Sequence, residues 1–181
     1  MKTLGDLIRF HASAFNLDPL IVAAVICQES QGNRWAGRIE QKSKLWLTLF
    51  GRSRAQLAGW TPAPGQLPEL WDEQCWRASS WGYMQVLGET ARVLGFKGQY
   101  LGELYDPAVN IRYGCAWLGR CLRRARISLT SGDKILEYNS ALLFYNGGAD
   151  KNYPAKVREH ISSGAAEALL NDPAPLFALA A

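Results

Sequence analysis

The chain has 181 residues, 48% of them hydrophobic, and a mild net charge of +4. That is enough apolar material for one globular domain with a real core. The longest apolar run, Leu20 to Cys27, is far too short to span a bilayer, which excludes stable membrane insertion.

The N-terminus, MKTLGDLIRF, carries one Lys, but Asp6 and Arg9 interrupt any long apolar segment. It does not read as a signal peptide, so the expectation is a soluble protein that something else delivers to any target outside the cytoplasm. Leu4, Leu7, Ile8 and Phe15 share one face of a first amphipathic helix. Asp18-Pro19 then supplies an N-cap followed by proline at the first helical position. The helix it opens should end at Glu29 or Ser30. It is apolar almost all round, which predicts a central place in the core.

Residues 31–78 have weak periodicity, five tryptophans (Trp35, Trp46, Trp60, Trp71, Trp76) and a proline-rich piece, TPAPGQLP. This region reads as an irregular insertion with room for a small hairpin. Within it, KLWLTLF (Lys44 to Phe50) suits either a strand or a short helix. Helical signals return at Gly88 to Leu94. Asp106-Pro107 repeats the cap-plus-proline signal, and Ile111, Cys115, Leu118 and Leu122 follow at helical spacing. Ile135 to Tyr145 and Pro154 to Ile161 read as two more helices. The tail, DPAPLFALAA, reads as loosely packed.

Four cysteines (Cys27, Cys75, Cys115, Cys121) form no CxxC pair, so a zinc site is not expected. Nothing in their spacing demands disulfides. Seven tryptophans are many for this length. Most should pack in the core, although aromatic surfaces also serve ring-shaped ligands such as sugars. The cluster RCLRRAR, Arg120 to Arg126, reads first as a solvated helix face, with anionic lipid, nucleic acid or a cell-wall polymer as other uses of such charge.

Glu29 is the residue with the clearest chemical meaning. It follows Val22, Val25 and Ile26 on one helical face, at the rim of the core and at the helix C-terminus. Low polarity and the negative end of the helix dipole both raise a carboxyl pKa. A carboxyl kept protonated near neutral pH is a general acid of the kind that protonates a leaving sugar oxygen. Taken alone, a helix-end glutamate paired to a nearby arginine explains the segment as well.

Four segments in order change that balance: Glu29-Ser30, SSWGYMQ (Ser79 to Gln85), DPAVNIRYGCAWL (Asp106 to Leu118) and LLFYNGG (Leu142 to Gly148), followed by YPAKV from Tyr153. This order closely resembles the lytic transglycosylase SLT family, with its ES, GLMQ, NI-x-x-G-x-x-YL and AYN-x-G elements. The resemblance covers most of the chain apart from the insertion. It implies a mainly α, lysozyme-like fold with at most a small β-hairpin in the insertion, as one catalytic domain over 1–181. It implies Glu29 as the sole catalytic carboxylate, with Ser30 shaping the site. Gly82, Met84 and Gln85 match GLMQ, and Ser80 precedes them as a further substrate-binding candidate. Tyr145 and Asn146 match AYN, where the tyrosine hydroxyl contacts the glutamate and the asparagine binds sugar. Asn110 and Gly114 match the helical element and have structural roles.

There are departures. Tyr83 stands for the usual leucine, Phe144 for alanine and Trp117 for tyrosine. Some phage relatives carry a Tyr-Glu-Pro or Phe-Glu element in a similarly long insertion. Ile39-Glu40-Gln41 is a partial counterpart, which makes Glu40 a candidate second carboxylate, though a surface or structural role suits it better.

The implied substrate is peptidoglycan, cut to a 1,6-anhydro-muramyl product without metal or cofactor. A hydrolytic muramidase would instead need a second carboxylate, Glu40 or Asp72, roughly 6.5–9.5 Å from the first. A glycan binder without catalysis is the third reading, and the intact Glu29, Gln85 and Tyr145 argue against it. Peptidoglycan strands are the expected partner of a monomer, with no nucleic acid. A phage enzyme, released through a holin or carried in the virion, is the simplest setting for a wall-cleaving chain of this kind.

Overall fold

The computed structural model describes residues 2–40, 44–57, 59–60, 68–129 and 133–176. Among these the fold is mainly helical. Nine helices run in the order α1 (Leu4–Ala14), α2 (Pro19–Ser30), α3 (Lys44–Phe50), α4 (Leu70–Arg77), α5 (Gly88–Val93), α6 (Pro107–Leu129), α7 (Lys134–Tyr145), α8 (Tyr153–Ser162) and α9 (Ala165–Asn171). One antiparallel sheet joins β1 (Gly37–Ile39), β2 (Ser79–Trp81) and β3 (Val86–Leu87) in that order. The small β element expected in 31–78 begins there with β1 and takes its other two strands from beyond it. No helix among the described residues is long and apolar enough to cross a membrane.

The chain forms two compact units. One comprises 1–32 and 114–181, the other 33–113. The chain passes between them after Gly32 and again within α6.

In the first unit α2 is the centre, and α1, α8 and α9 pack on it. The reason is local: Val22, Ala23, Ala24, Val25 and Ile26 are all fully buried, so the helix has no face left for water. Asp18 caps it by accepting from the Leu20 N–H at 2.8 Å, and the Asp18 N–H donates to the Tyr138 hydroxyl of α7 at 2.9 Å. At the far end Gln31 turns into the left-handed region, φ 54°, and stops the helix. In α1 a reciprocal Thr3–Asp6 capping box sets the start. Cys115 and Cys121 pack beside Leu118 and Leu122 along α6.

The second unit departs most from the sequence expectation. Lys44–Phe50 is a helix, and Leu70–Arg77 is a further helix where hydropathy predicted irregular chain. The buried face of α4 is polar: Glu73 and Arg77 are fully buried and Gln74 nearly so. A hydropathy pattern cannot report such a face. The charges are matched. Arg77 Nε donates to Glu73 Oε1 at 2.8 Å and Arg92 Nε donates to the same oxygen at 2.8 Å, while Arg92 Nη2 donates to Glu73 Oε2 at 3.0 Å. Arg77 Nη1 also donates to Glu89 Oε2 at 2.8 Å. Gln74 Nε2 donates to the Leu49 and Arg52 carbonyls, which ties α4 to the end of α3. Leu49, Leu57, Trp60 and Ala78 form the apolar core beneath. The proline-rich TPAPGQLP lies almost wholly outside the described residues.

Helix α9 was also not expected. It is short and rich in alanine, and it stands because it packs on α2, α1 and α8. The tail is pinned as far as Pro175, which bridges to Thr3. The rest of the tail, 177–181, lies outside the described residues.

Removing one partner of the buried ion network leaves charges stranded. Glu73→Ala should therefore destabilise the protein by roughly 3–5 kcal/mol in urea unfolding. Burial pushes the thiols of Cys115 and Cys121 from 9.0 to about 12. A folded pKa above the unfolded one means that their contribution is complete below about pH 9 and is lost as pH rises toward 12. Cys115→Ala should show a shallower loss of stability between pH 8 and pH 11 than the parent.

Candidate active site

Glu29 occupies the last turn of α2 and is half-buried. Its carboxylate is held by a residue to which the sequence assigned no role. The Tyr153 hydroxyl donates to Glu29 Oε1 at 2.5 Å. Tyr153 opens α8 and is 4% exposed. Tyr145, which ends α7, lies nearly parallel to it, with ring centroids 6.5 Å apart and an interplanar angle of 21°. Burial, and then the negative charge of Glu29, raise the pKa of both hydroxyls well above the usual tyrosine value. Both phenols therefore keep their protons and remain donors.

The turn between α7 and α8 brings the two rings together. Gly147 and Gly148 both have positive φ, 71° and 74°, which explains the paired glycines after Asn146. Asn146 Oδ1 accepts from the Gly148 N–H at 3.0 Å, and its Nδ2 donates to the Asp150 carbonyl at 3.3 Å. The Asp150 carboxylate accepts from the Asn152 N–H and pairs with Lys156 at 2.7 Å, contacts that lower its pKa. Trp117 Nε1 reaches the Tyr145 carbonyl at 3.4 Å, so the indole at this departure from the family pattern anchors the end of α7. The Ser30 hydroxyl donates to the Ile26 carbonyl of its own helix and is buried.

The other candidates gather in the second unit, around Asn110. This fully buried side chain accepts from the Met84 N–H at 2.8 Å and donates to the carbonyls of Trp81 and Leu104, at 2.7 and 2.9 Å. It thereby shapes the turn that joins β2 to β3. Gly82 has φ 66°, and a Cβ there would lie 2.5 Å from Asn110 Nδ2. Gln85 also has positive φ, 45°, and its Nε2 donates to the carbonyls of Ala36 and Gly82, each at 2.9 Å. Met84 is fully buried, so its side chain meets protein rather than solvent. Tyr83 is buried as well, which raises its pKa, opposed by the charge of Arg34.

Glu40 follows β1. Arg38 Nε and Nη2 donate to its Oε1 at 2.8 and 2.5 Å, and the Ser80 hydroxyl donates to the same oxygen at 3.3 Å. Ser80 faces Arg38 in the sheet register. The geometry thus joins Glu29 with Tyr145 through Tyr153, and separately joins Ser80 with Glu40 and Gly82 with Met84 and Gln85. Among the described residues no three His, Cys, Asp or Glu side chains converge as metal ligands would.

Two of these connections were reachable from sequence only in part. YPAKV marks Tyr153 by position, but no periodicity says that its hydroxyl turns toward α2. The asparagine of DPAVNIRYG sits on the buried face of α6, where a polar side chain must find partners.

Comparison with known proteins agrees with the motif order. No solved structure gives a match. A transglycosylase of Enterobacteria phage PRD1 is 27% identical over 159 residues, which cover 83% of this chain and 40% of that protein. The chain thus spans well under half the length of this curated relative. The family model "Transglycosylase SLT domain" matches residues 6–164. With nearly the whole described fold inside that match, the chain belongs to the transglycosylase SLT domain family.

Proposed function

We propose that this chain is a lytic transglycosylase that cuts the β-1,4 bond between N-acetylmuramic acid and N-acetylglucosamine in peptidoglycan and leaves a 1,6-anhydro-muramyl end. The observation that carries the reading is the carboxyl of Glu29, half-buried at a helix C-terminus and bound by the buried Tyr153 hydroxyl. Family membership supplies the reaction class.

Protonated Glu29 gives its proton to the bridging oxygen. The C1–O bond breaks, the N-acetylglucosamine leaves as an alcohol, and positive charge develops at C1 of the muramyl ring. The new carboxylate takes the proton of the muramyl C6 hydroxyl while O6 bonds to C1. Glu29 is then an acid again, and no water is consumed. Tyr153 serves both steps as a proton-retaining donor to Oε1. It holds one carboxyl oxygen in place while the other moves the proton. Tyr145 confines the Tyr153 ring and completes the wall.

The remaining candidates are read as substrate-binding groups. Ser30 and Asn146 shape the ends of α2 and α7. Ser80, Gly82, Met84 and Gln85 build the turn whose backbone offers hydrogen bonds to acetamido sugars, with Met84 acting from beneath. Glu40 is already engaged by Arg38 and Ser80, which suits a structural ion pair rather than a carboxylate that holds water. The phage origin of the relative supports a phage lysis or tail setting, in which the enzyme reaches the periplasmic wall through a holin or within the virion.

Purified sacculi digested with the protein should release fragments with anhydro-muramyl ends in mass spectrometry. Reducing muramyl ends would replace this proposal with a hydrolase. Glu29→Gln should lower turnover about 10²–10⁴-fold while leaving the fold intact. Tyr153→Phe, which removes the hydrogen bond that holds Glu29 Oε1, should lower the rate roughly ten- to a hundred-fold. A wild-type rate in that variant would remove the hydroxyl from the mechanism.

A further inference from the structure

The segment after α2 presents an indole that neither core packing nor the catalytic proposal uses. Trp35 is 64% exposed. The Trp35 backbone N–H donates to Asn33 Oδ1 at 2.9 Å. The next carbonyl, that of Ala36, accepts from both the Gly82 N–H at 2.7 Å and Gln85 Nε2 at 2.9 Å. Tyr105 meets the indole at a tilt of 53°, 5.5 Å between ring centroids, and meets the buried Trp81 edge-on at 5.2 Å. Gly37 lies so close to the Tyr105 hydroxyl that a Cβ there would come within 2.2 Å of it. The Arg34 guanidinium lies over one face of the Trp35 ring, 4.5 Å from its centroid.

A solvent-facing tryptophan is ordinary by itself. This one is mounted on the two residues of the GYMQ turn, Gly82 and Gln85, that the family pattern marks for substrate. We propose that Trp35 is a stacking platform for an N-acetylhexosamine ring of the glycan strand, and that Gln85 acts as its positioning residue. The indole face not covered by Arg34 is the one offered to the axial C–H groups of a pyranose. Arg34 adds a cation that suits the carboxylates of a substituted glycan. The inference rests on the glycan-cleaving reading above and assigns a residue that this reading did not need. The comparable indole, Trp71, is 60% exposed but packs edge-on against Phe50 and holds no link to the GYMQ turn.

The test measures binding without turnover. Titration calorimetry with chitotetraose, the β-1,4 tetramer of N-acetylglucosamine, is run on the full chain carrying Glu29→Gln. In that background Trp35→Ala should weaken binding at least ten-fold, Trp35→Phe should restore part of the loss, and Trp71→Ala should stay within two-fold. Gln85→Leu, which loses both donated hydrogen bonds, should weaken binding, and on sacculi in the active chain Trp35→Ala should raise KM more than it lowers kcat. Binding by Trp35→Ala within two-fold of its parent overturns the proposal. So does an equal loss with Trp71→Ala, or no measurable binding by the parent. Because no bond is cut in the titration, a failed search for anhydro ends would end the transglycosylase reading and leave this result standing.

Discussion

Polar groups taken out of water must be matched, and much of this fold follows from that requirement. Glu73 is fully buried and is held by two arginines from different helices. Its position commits Arg77 on α4 and Arg92 on α5, and through Arg77 it commits Glu89. A network of this kind adds little net stability over apolar packing, because desolvation offsets most of the attraction. It also constrains geometry: Glu73 and Arg77 of α4 must meet Glu89 and Arg92 of α5 for these buried charges to be matched. The second unit thus has a directional core laid beside a modest apolar one.

Asn110 applies the same rule to the turn between β2 and β3. Its amide meets three backbone groups, so the turn cannot shift without stranding a buried donor or acceptor. The glycine at 82 follows from that amide, since no side chain fits against it. Gln85 then extends the brace to Ala36 and the Trp35 segment. A motif that reads as a sugar-contacting sequence is in large part a piece of joinery within the fold.

In the first unit the requirement becomes chemistry. Helix α2 has no face left for water, so its last turn carries Glu29 to the edge of the apolar interior. Two tyrosines meet it there, and burial keeps both protonated. The Gly147–Gly148 turn and the Asn146 side chain bring Tyr153 back over Tyr145, so part of the site's accuracy comes from a surface turn remote in sequence from Glu29.

The sequence by itself determined α1, α2, α6, α7 and α8, because their apolar spacing and capping residues act locally and mark their own ends. It determined Glu29 as the candidate acid and the motif order that names the family. It missed α4, whose buried face is charged, and α9, a short helix that stands only through packing. It also assigned the contact with Glu29 to Tyr145 alone. The tertiary structure decided that Tyr153 makes the 2.5 Å bond, that Met84 is buried, and that Glu40 is tied to Arg38. Each of these depends on which side chains meet across distant parts of the chain. Local propensity and hydropathy report how a segment folds, but not which hydroxyl reaches which carboxylate.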